Sequence, residues 1–171
     1  IIFSLMLTSV ALGTIITMSS THWLMAWIGL ELNTLSIIPI ISKHHHPRST
    51  EATTKYFLTQ AAASATLLFA STANAWSTGT WDIQHLTSQP ACTLLTMALS
   101  MKLGLAPLHF WLPEVLQGTS LSTALIITTW QKLAPMALMI LTYNSLNPTI
   151  LLMMGLLSSL IGGWGGLNQT Q

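Results

Sequence analysis

The stretch MALSMKLGLAPLHFWLPEVLQG, Met97 to Gly118, decides the fold of the whole chain. It opens as an apolar helix, carries Lys102 near what should be mid-membrane, breaks at Pro107, and leaves through an aromatic, proline-bounded segment holding Glu114. A lone ionised lysine at the centre of a membrane helix costs about 2.5–3.5 kcal/mol, whereas each leucine returns only about 0.3–0.6 kcal/mol. A passive anchor has no use for such a residue. Lys102 requires a partner, water or a function.

Outward from that stretch, the composition fits a membrane protein. Of 171 residues, 51% are hydrophobic and 5% charged, against roughly 25% charged in a soluble domain. The apolar residues come in long runs rather than in the short alternations of a barrel, so the chain reads as an all-α, polytopic transmembrane bundle. With a net charge of +1 and no basic cluster beyond one loop, nothing in the sequence points to nucleic-acid binding. Cys92 is the only cysteine, which leaves no disulfide framework and no CxxC metal or redox pair. The chain opens with Ile1 inside an apolar run and stops at Gln171 after a glycine-rich stretch, so both ends are expected to be cut.

Spans are expected at about residues 1–18, 22–42, 56–76, 91–110, 121–142 and 149–164, forming one membrane domain over 1–171 with no soluble catalytic part. Trp23 and Trp27 are expected as interfacial anchors of the second span. The segment SKHHHPRSTEATTK carries Lys43, Arg48 and Lys55, three of the five basic residues, and by the positive-inside rule faces the cytoplasm or matrix. The third span is rich in Ala, Ser and Thr, small residues that let neighbouring helices approach closely.

Glu31, Lys102 and Lys132 each sit alone near the centre of a different span. Left unpaired against lipid, the three together would cost about 8–10 kcal/mol, comparable with the stability of a whole domain. They are expected to face one another or a hydrated interior. Pro107 cannot donate to the Leu103 carbonyl, beside Lys102, and Pro135 cannot donate to that of Gln131, beside Lys132. Pro39 does the same to Leu35, one turn beyond Glu31. Helices loosened beside buried charges are typical of ion pathways. A buried lysine whose charge is tuned by a movable carboxylate is a suitable proton carrier, and His109, beyond the Pro107 break, is a candidate relay.

Plainer readings stand beside these. Either lysine could snorkel or make a static interhelical bond, Glu31 a packing hydrogen bond, and His109 a structural one. Glu114, near the interface, is read as a cap or as a contact to a neighbouring subunit. His44, His45 and His46 are consecutive, point in different directions and have no carboxylate or cysteine at ligand spacing, which argues against a metal site. The cluster Gly162, Gly163, Gly165 and Gly166 has no following Lys-Ser/Thr, so it marks close helix packing or a helix end rather than a phosphate loop.

WIGLELNTLSIIPI (Trp27–Ile40), PRSTEATTKYFLTQAAAS (Pro47–Ser64), MKLGLAPLHFWLPEVLQG (Met101–Gly118), TWQKLAP (Thr129–Pro135) and GGWGGLNQTQ (Gly162–Gln171) together resemble the antiporter-like membrane subunits of respiratory complex I, NADH:ubiquinone oxidoreductase, over almost the whole chain. The resemblance implies an antiporter-like fold of inverted five-helix repeats, of which this chain holds the first, with its broken helix, and a little more. It also implies that Glu31 matches the family's glutamate, Lys102 its broken-helix lysine and Lys132 its central-axis lysine. A later broken helix and a further charged residue would lie beyond Gln171. The implied setting is the mitochondrial inner membrane, with other membrane-arm subunits, lipid and protons as partners and NADH-to-ubiquinone electron transfer elsewhere in the complex driving proton movement. NADH, FMN, iron–sulfur clusters and ubiquinone would belong to the whole complex, with no cofactor and no redox centre in this chain. A stand-alone cation/proton antiporter and a structural membrane scaffold are the competing expectations.

Overall fold

Helices α1 (Ile2–Ser19) and α2 (Trp23–Ile41) form an antiparallel hairpin, closed by a turn in which His22 Nδ1 accepts the Leu24 N–H at 3.1 Å. In this computed structural model, which describes residues 1–169, the chain continues through a 3₁₀ turn at Ser42–His44 into α3 (Pro47–Thr78). The helices α4 (Gln89–Leu103), α5 (Trp111–Gln117), α6 (Leu121–Thr128), α7 (Leu133–Leu141) and α8 (Pro148–Leu167) follow, with a second 3₁₀ turn at Trp130–Lys132 joining α6 to α7. The last two residues of the GGWGGLNQTQ motif and the side chain of His44 lie outside the described parts.

The α1–α2 hairpin closes because two glycines meet. A Cβ on Gly29 would lie 2.9 Å from the Gly13 carbonyl oxygen, and one on Gly13 would lie 2.9 Å from that of Gly29. Without a hydrophobic force between helices in lipid, such close backbone approach supplies the packing. Ser9 Oγ adds a hydrogen bond to Ser36 Oγ at 2.8 Å across the same contact.

Helix α3 starts nine residues before the expected span because Pro47 occupies its first position and His46 caps it, accepting the Arg48 N–H at 3.4 Å. Its 32 residues carry the charged PRSTEATTK turns out of the apolar layer. Its buried face runs Ser49, Ala52, Tyr56, Gln60, Ala63, Leu67, Ala70, Asn74, a stripe of mostly small residues at three- and four-residue spacing. Fully buried Asn74 then organises the following loop, donating to the His85 carbonyl and accepting from Thr87 N and Ser88 Oγ.

Two of the expected spans are interrupted. At 1.5 Å per residue the 15 residues of α4 reach about 22 Å, short of a ~30 Å hydrocarbon layer. The helix stops at Leu103, not at Pro107 and not at the expected residue 110, because Gly104 takes a left-handed φ of 71° and turns its N–H back to Met101. Pro107 lies within the interruption that separates α4 from α5. In the fifth span the irregular turn Trp130–Lys132 precedes Pro135, which sits in the first turn of α7 where a missing N–H leaves no bond unmade. Helix α2, by contrast, runs through Pro39 unbroken to Ile41.

Contacts sort the chain ends and loops onto two faces. Trp23 N donates to Trp81 O and Ile83 N to Thr21 O, each at 3.1 Å, joining the α1–α2 and α3–α4 connections at one end. At the opposite end Lys43 Nζ lies 4.9 Å from the Phe3 ring centroid, and Lys55 bonds Glu51 and Glu114 at 2.7 Å each. Glu114 thus pairs inside the chain, fixing α5 to α3, and a Cβ on Gly118 would lie 2.5 Å from Ala52 Cβ. Trp23 is wholly buried in an apolar cluster with Leu30, Leu67, Leu95 and Leu99 rather than anchored at an interface, because the loop carrying Trp81 and Ile83 folds over it. The five glycines of α8, the Gly162–Gly166 cluster among them, face open space in the described chain.

Gly29→Ala is expected to overpack the α1–α2 crossing by about 1–3 kcal/mol, read as a lower temperature of subunit loss from the native assembly. The surface pairs should follow pH and salt. The neighbouring Lys55 lowers the Glu51 carboxyl, and the carboxylates of Glu114 and Glu51 push Lys55 up from 10.5 to about 12. A depressed carboxyl contributes above its unfolded pKa and loses that contribution as pH falls through the folded value; a raised amine contributes below 10.5 and loses it as pH rises through about 12. The thermal-stability difference between wild type and Glu51→Gln should therefore be present at about pH 7, vanish below about pH 4 and shrink in about 0.5 M salt.

Candidate functional site

Two apolar clusters, one toward each end of the bundle, leave a polar layer between them. The first holds Trp23, Ala26 and Leu30 of α2, Leu67 and Ala70 of α3, Leu95 and Leu99 of α4, and Ala134 and Leu138 of α7. The second holds Ile37 and Ile41 of α2, Ala52 and Tyr56 of α3, Trp111 and Val115 of α5, and Ile127 of α6. The spans built on α2, on α3, on α4 with α5, and on α6 with α7 thus pass from one cluster to the other, and between the clusters they carry Glu31, Asn33 and Thr34, then Gln60, then Lys102, then Gln131 and Lys132.

Within that layer Lys102 and Lys132 line one cavity with Asn33, Thr34, Gln60 and Gln131. The space open to the centre of a water is about 10 Å³, room for about one molecule. Lys102 is 5% exposed and its Nζ has no protein partner; both polar atoms of the Asn33 side chain, 2% exposed, also lack one. Buried polar groups are rarely left so, and an ordered water that bridges them is a usual account.

Lys132 is held differently. Its Nζ donates to the carbonyl of Leu103, the end of α4 and the residue Pro107 cannot reach. It also lies 5.4 Å from the Trp111 ring centroid. The Ser100 and Met101 carbonyls of α4 are taken by the backbone of Leu105 and Gly104, and Trp111 Nε1 also donates to Met101 O at 3.1 Å. A cation on the C-terminal carbonyls of a helix is also favoured by its dipole.

Glu31 does not border this cavity. One carboxylate oxygen, Oε2, lies 3.4 Å from Thr34 Oγ1, the other is buried without a partner, and neither is within ion-pair distance of Lys102. Glu31 and Lys102 thus form no direct ion pair, and Thr34, which bonds the glutamate, itself lines the cavity. His109 sits in the interruption, its Nδ1 buried without a partner and its ring 4.5 Å from that of Phe110, and it does not line the cavity of the two lysines. The charged residues were legible from hydropathy; Asn33, Gln60 and Gln131 were not, although each is an amide in the middle of an apolar span, the signal that would have found them.

The fold and site define a helical membrane bundle with two spans that break beside lysines, one buried and one half-buried. Residues 20–171 match the family described as NADH:quinone oxidoreductase/Mrp antiporter, TM, and the chain belongs to that family. It is 67% identical over 171 residues to NADH-ubiquinone oxidoreductase chain 2 of Varanus timorensis, covering 100% of this chain and 50% of that one. Identity to the chain 2 of Xenopus laevis is 63% over 171 residues, with 100% and 50% covered, and to that of Oncorhynchus mykiss 61% over 170 residues, with 99% and 49% covered. The chain thus spans about half the length of the curated relatives it matches. Among solved structures, a chain of respiratory complex I from Thermus thermophilus with bound Aureothin superposes with a TM-score of 0.91 at 30% identity, over 98% of this chain and 40% of that one. The archaeal membrane-bound sulfane sulfur reductase shares the fold, with a TM-score of 0.70 at 17% identity, over 83% and 32%.

The two lysines should respond oppositely to truncation. Lys132→Met strips the Leu103 carbonyl of its donor and is expected to destabilise the subunit by about 1–3 kcal/mol, whereas Lys102→Met removes a group with no protein partner and should leave thermal stability unchanged or raised. Thermal dissociation of the assembled complex in detergent, compared for the two variants, checks this.

Proposed function

We infer that this chain is a proton-translocating membrane-arm subunit of respiratory complex I in the mitochondrial inner membrane, the counterpart of the chain 2 proteins it resembles. In this reading NADH-to-ubiquinone electron transfer takes place elsewhere in the complex, where FMN and iron–sulfur clusters reside, and drives proton movement through this chain. Its partners are the other membrane-arm subunits and the surrounding lipid. The chain takes part in an NADH:ubiquinone reductase without holding a redox centre.

The observation that carries the reading is the shared cavity of Lys102 and Lys132 at the end of a helix interrupted inside the membrane. Lys102 has the properties of the mobile carrier: buried, unpartnered and beside space for a water. Lys132, bound to the Leu103 carbonyl, is its neighbour on the same cavity, and Thr34 and Asn33 supply polar groups on the side of Glu31. Glu31 then acts by reaching toward the cavity past Thr34 rather than by a standing ion pair, and His109 is the relay at the interruption.

The test is Lys102→Met in the full-length chain, within the complex reconstituted into liposomes. Native-gel assembly is expected to be intact, while NADH:quinone turnover or protons moved per electron falls at least about ten-fold, the upper range of what one positioned proton-transfer group contributes being larger still. Unchanged turnover and pumping in an assembled variant would reduce Lys102 to packing and return the scaffold reading. Transport that depends on sodium, by a chain purified free of partners, would favour a stand-alone antiporter.

A further inference from the structure

We propose that Trp111 is a positioning residue for Lys132, presenting its indole face in place of a counter-ion, so that the lysine can hold a proton inside the membrane without a carboxylate to take that proton away. The proposal rests on the reading of the lysines as proton carriers and concerns how one of them is served.

The chain has seven tryptophans, and this one is set apart by its surroundings. Trp76 and Trp164 are 93% and 75% exposed, as lipid-facing or interfacial rings are, whereas Trp111 is 7% exposed and lies between three elements. Its Nε1 donates to Met101 O at the end of α4. Its edge meets Tyr56 of α3, centroids 5.9 Å apart at 64°. On the α4 side its Cζ2 would be 3.5 Å from a Cβ on Gly104, the same distance as Lys132 Nζ. Helix α5, which begins at Trp111, is in turn held to α3 by the Gly118 contact and the Glu114–Lys55 pair. The indole is therefore fixed before the lysine reaches it.

Lys132 needs such a group. Its ammonium gives one N–H to the Leu103 carbonyl, and no carboxylate is within ion-pair distance of it among the described residues. The titratable groups that face it are Lys102 from α4, a like charge when protonated, and Tyr56 from α3; α2 presents Asn33 and Thr34, with Glu31 behind them. An aromatic face within about 6 Å attracts a cation through its quadrupole, most strongly for Trp. It has no lone pair of carboxylate basicity, so a proton leaving Lys132 passes to the cavity and Lys102 and is not trapped. A carboxylate at the same place would hold the charge more firmly and compete for the proton.

The experiment uses the full-length chain in the assembled complex, reconstituted into liposomes, with Trp111→Phe and Trp111→Met measured for NADH:quinone turnover and protons per electron between about pH 6.5 and about pH 8.5. Loss of the ring face should matter most where the amine is hardest to keep protonated. The Met variant is expected to lose about five-fold at about pH 8.5 and less than about two-fold at about pH 6.5, with Phe between it and wild type, following the order of ring quadrupoles. Variants that keep the wild-type pH profile, unchanged or uniformly lowered, would overturn the proposal and leave Trp111 as packing. If the Met variant does not assemble, Phe decides alone: a ratio of the two rates that matches wild type overturns the proposal, and one displaced by about two-fold supports it. Lys132→Met in parallel separates the two levels. If it assembles and pumps normally, the carrier reading fails; if it loses pumping while Trp111→Met keeps the wild-type profile, only the role of Trp111 fails.

Discussion

A carbonyl released inside a bilayer has no water to turn to, and helix α4 ends there. Four residues carry the consequence. Leu105 takes up the Ser100 carbonyl, Gly104 and the Trp111 indole share that of Met101, and Lys132 closes that of Leu103. The last of these comes from 29 residues away and brings the turn before α7 against the end of α4. The interruption, the lysine and the indole are thus one arrangement. Remove the donor and a buried acceptor is left bare; extend the helix and the lysine has nothing to bind.

The same constraint explains why the polar residues form a layer. On every span that contributes to it, apolar packing lies toward both ends and amides, hydroxyls or amines lie between. Polar groups collected at one depth can satisfy one another and share a water, whereas the same groups scattered along the spans would each face lipid alone. The layer is incompletely satisfied, however: Lys102, Asn33 and one oxygen of Glu31 have no protein partner. Two of these groups, Lys102 and Asn33, border the cavity with its room for a water.

The two lysines occupy different positions on this scale. Lys132 is bound on one side by a carbonyl and on another by an aromatic face, and Lys102, 30 residues earlier, is bound by neither. In the proposed function, a proton passing between an anchored amine and an unanchored one needs only the unanchored one to move. Around this pair the frame is closely packed: glycines press α1 on α2 and α5 on α3 with no room for a methyl, and the Lys55–Glu114 pair ties the first turn of α5 to α3.

By itself the sequence determined that the chain is a helical membrane bundle, because a hydrocarbon layer leaves no other way to satisfy the backbone and 5% charge leaves no other solvent. It also singled out Lys102 and Lys132, since hydropathy measures the cost of a charge, and the family, since its motifs are contiguous. It read Pro107 as the point of interruption, but the helix turns at Gly104, where freedom to adopt positive φ acts before the missing N–H does. It held the amides Asn33, Gln60 and Gln131 in view without weighting them, because an uncharged side chain is cheap wherever it has a partner and only the fold says whether it has one. Tertiary structure alone decided that Lys132 and not Lys102 binds Leu103, that Glu31 stands off from both lysines, that Glu114 pairs with Lys55, and that Trp111 faces an ammonium. Each depends on the direction in which a side chain leaves its helix and on which helix lies there, and neither depth nor spacing along one chain encodes those angles.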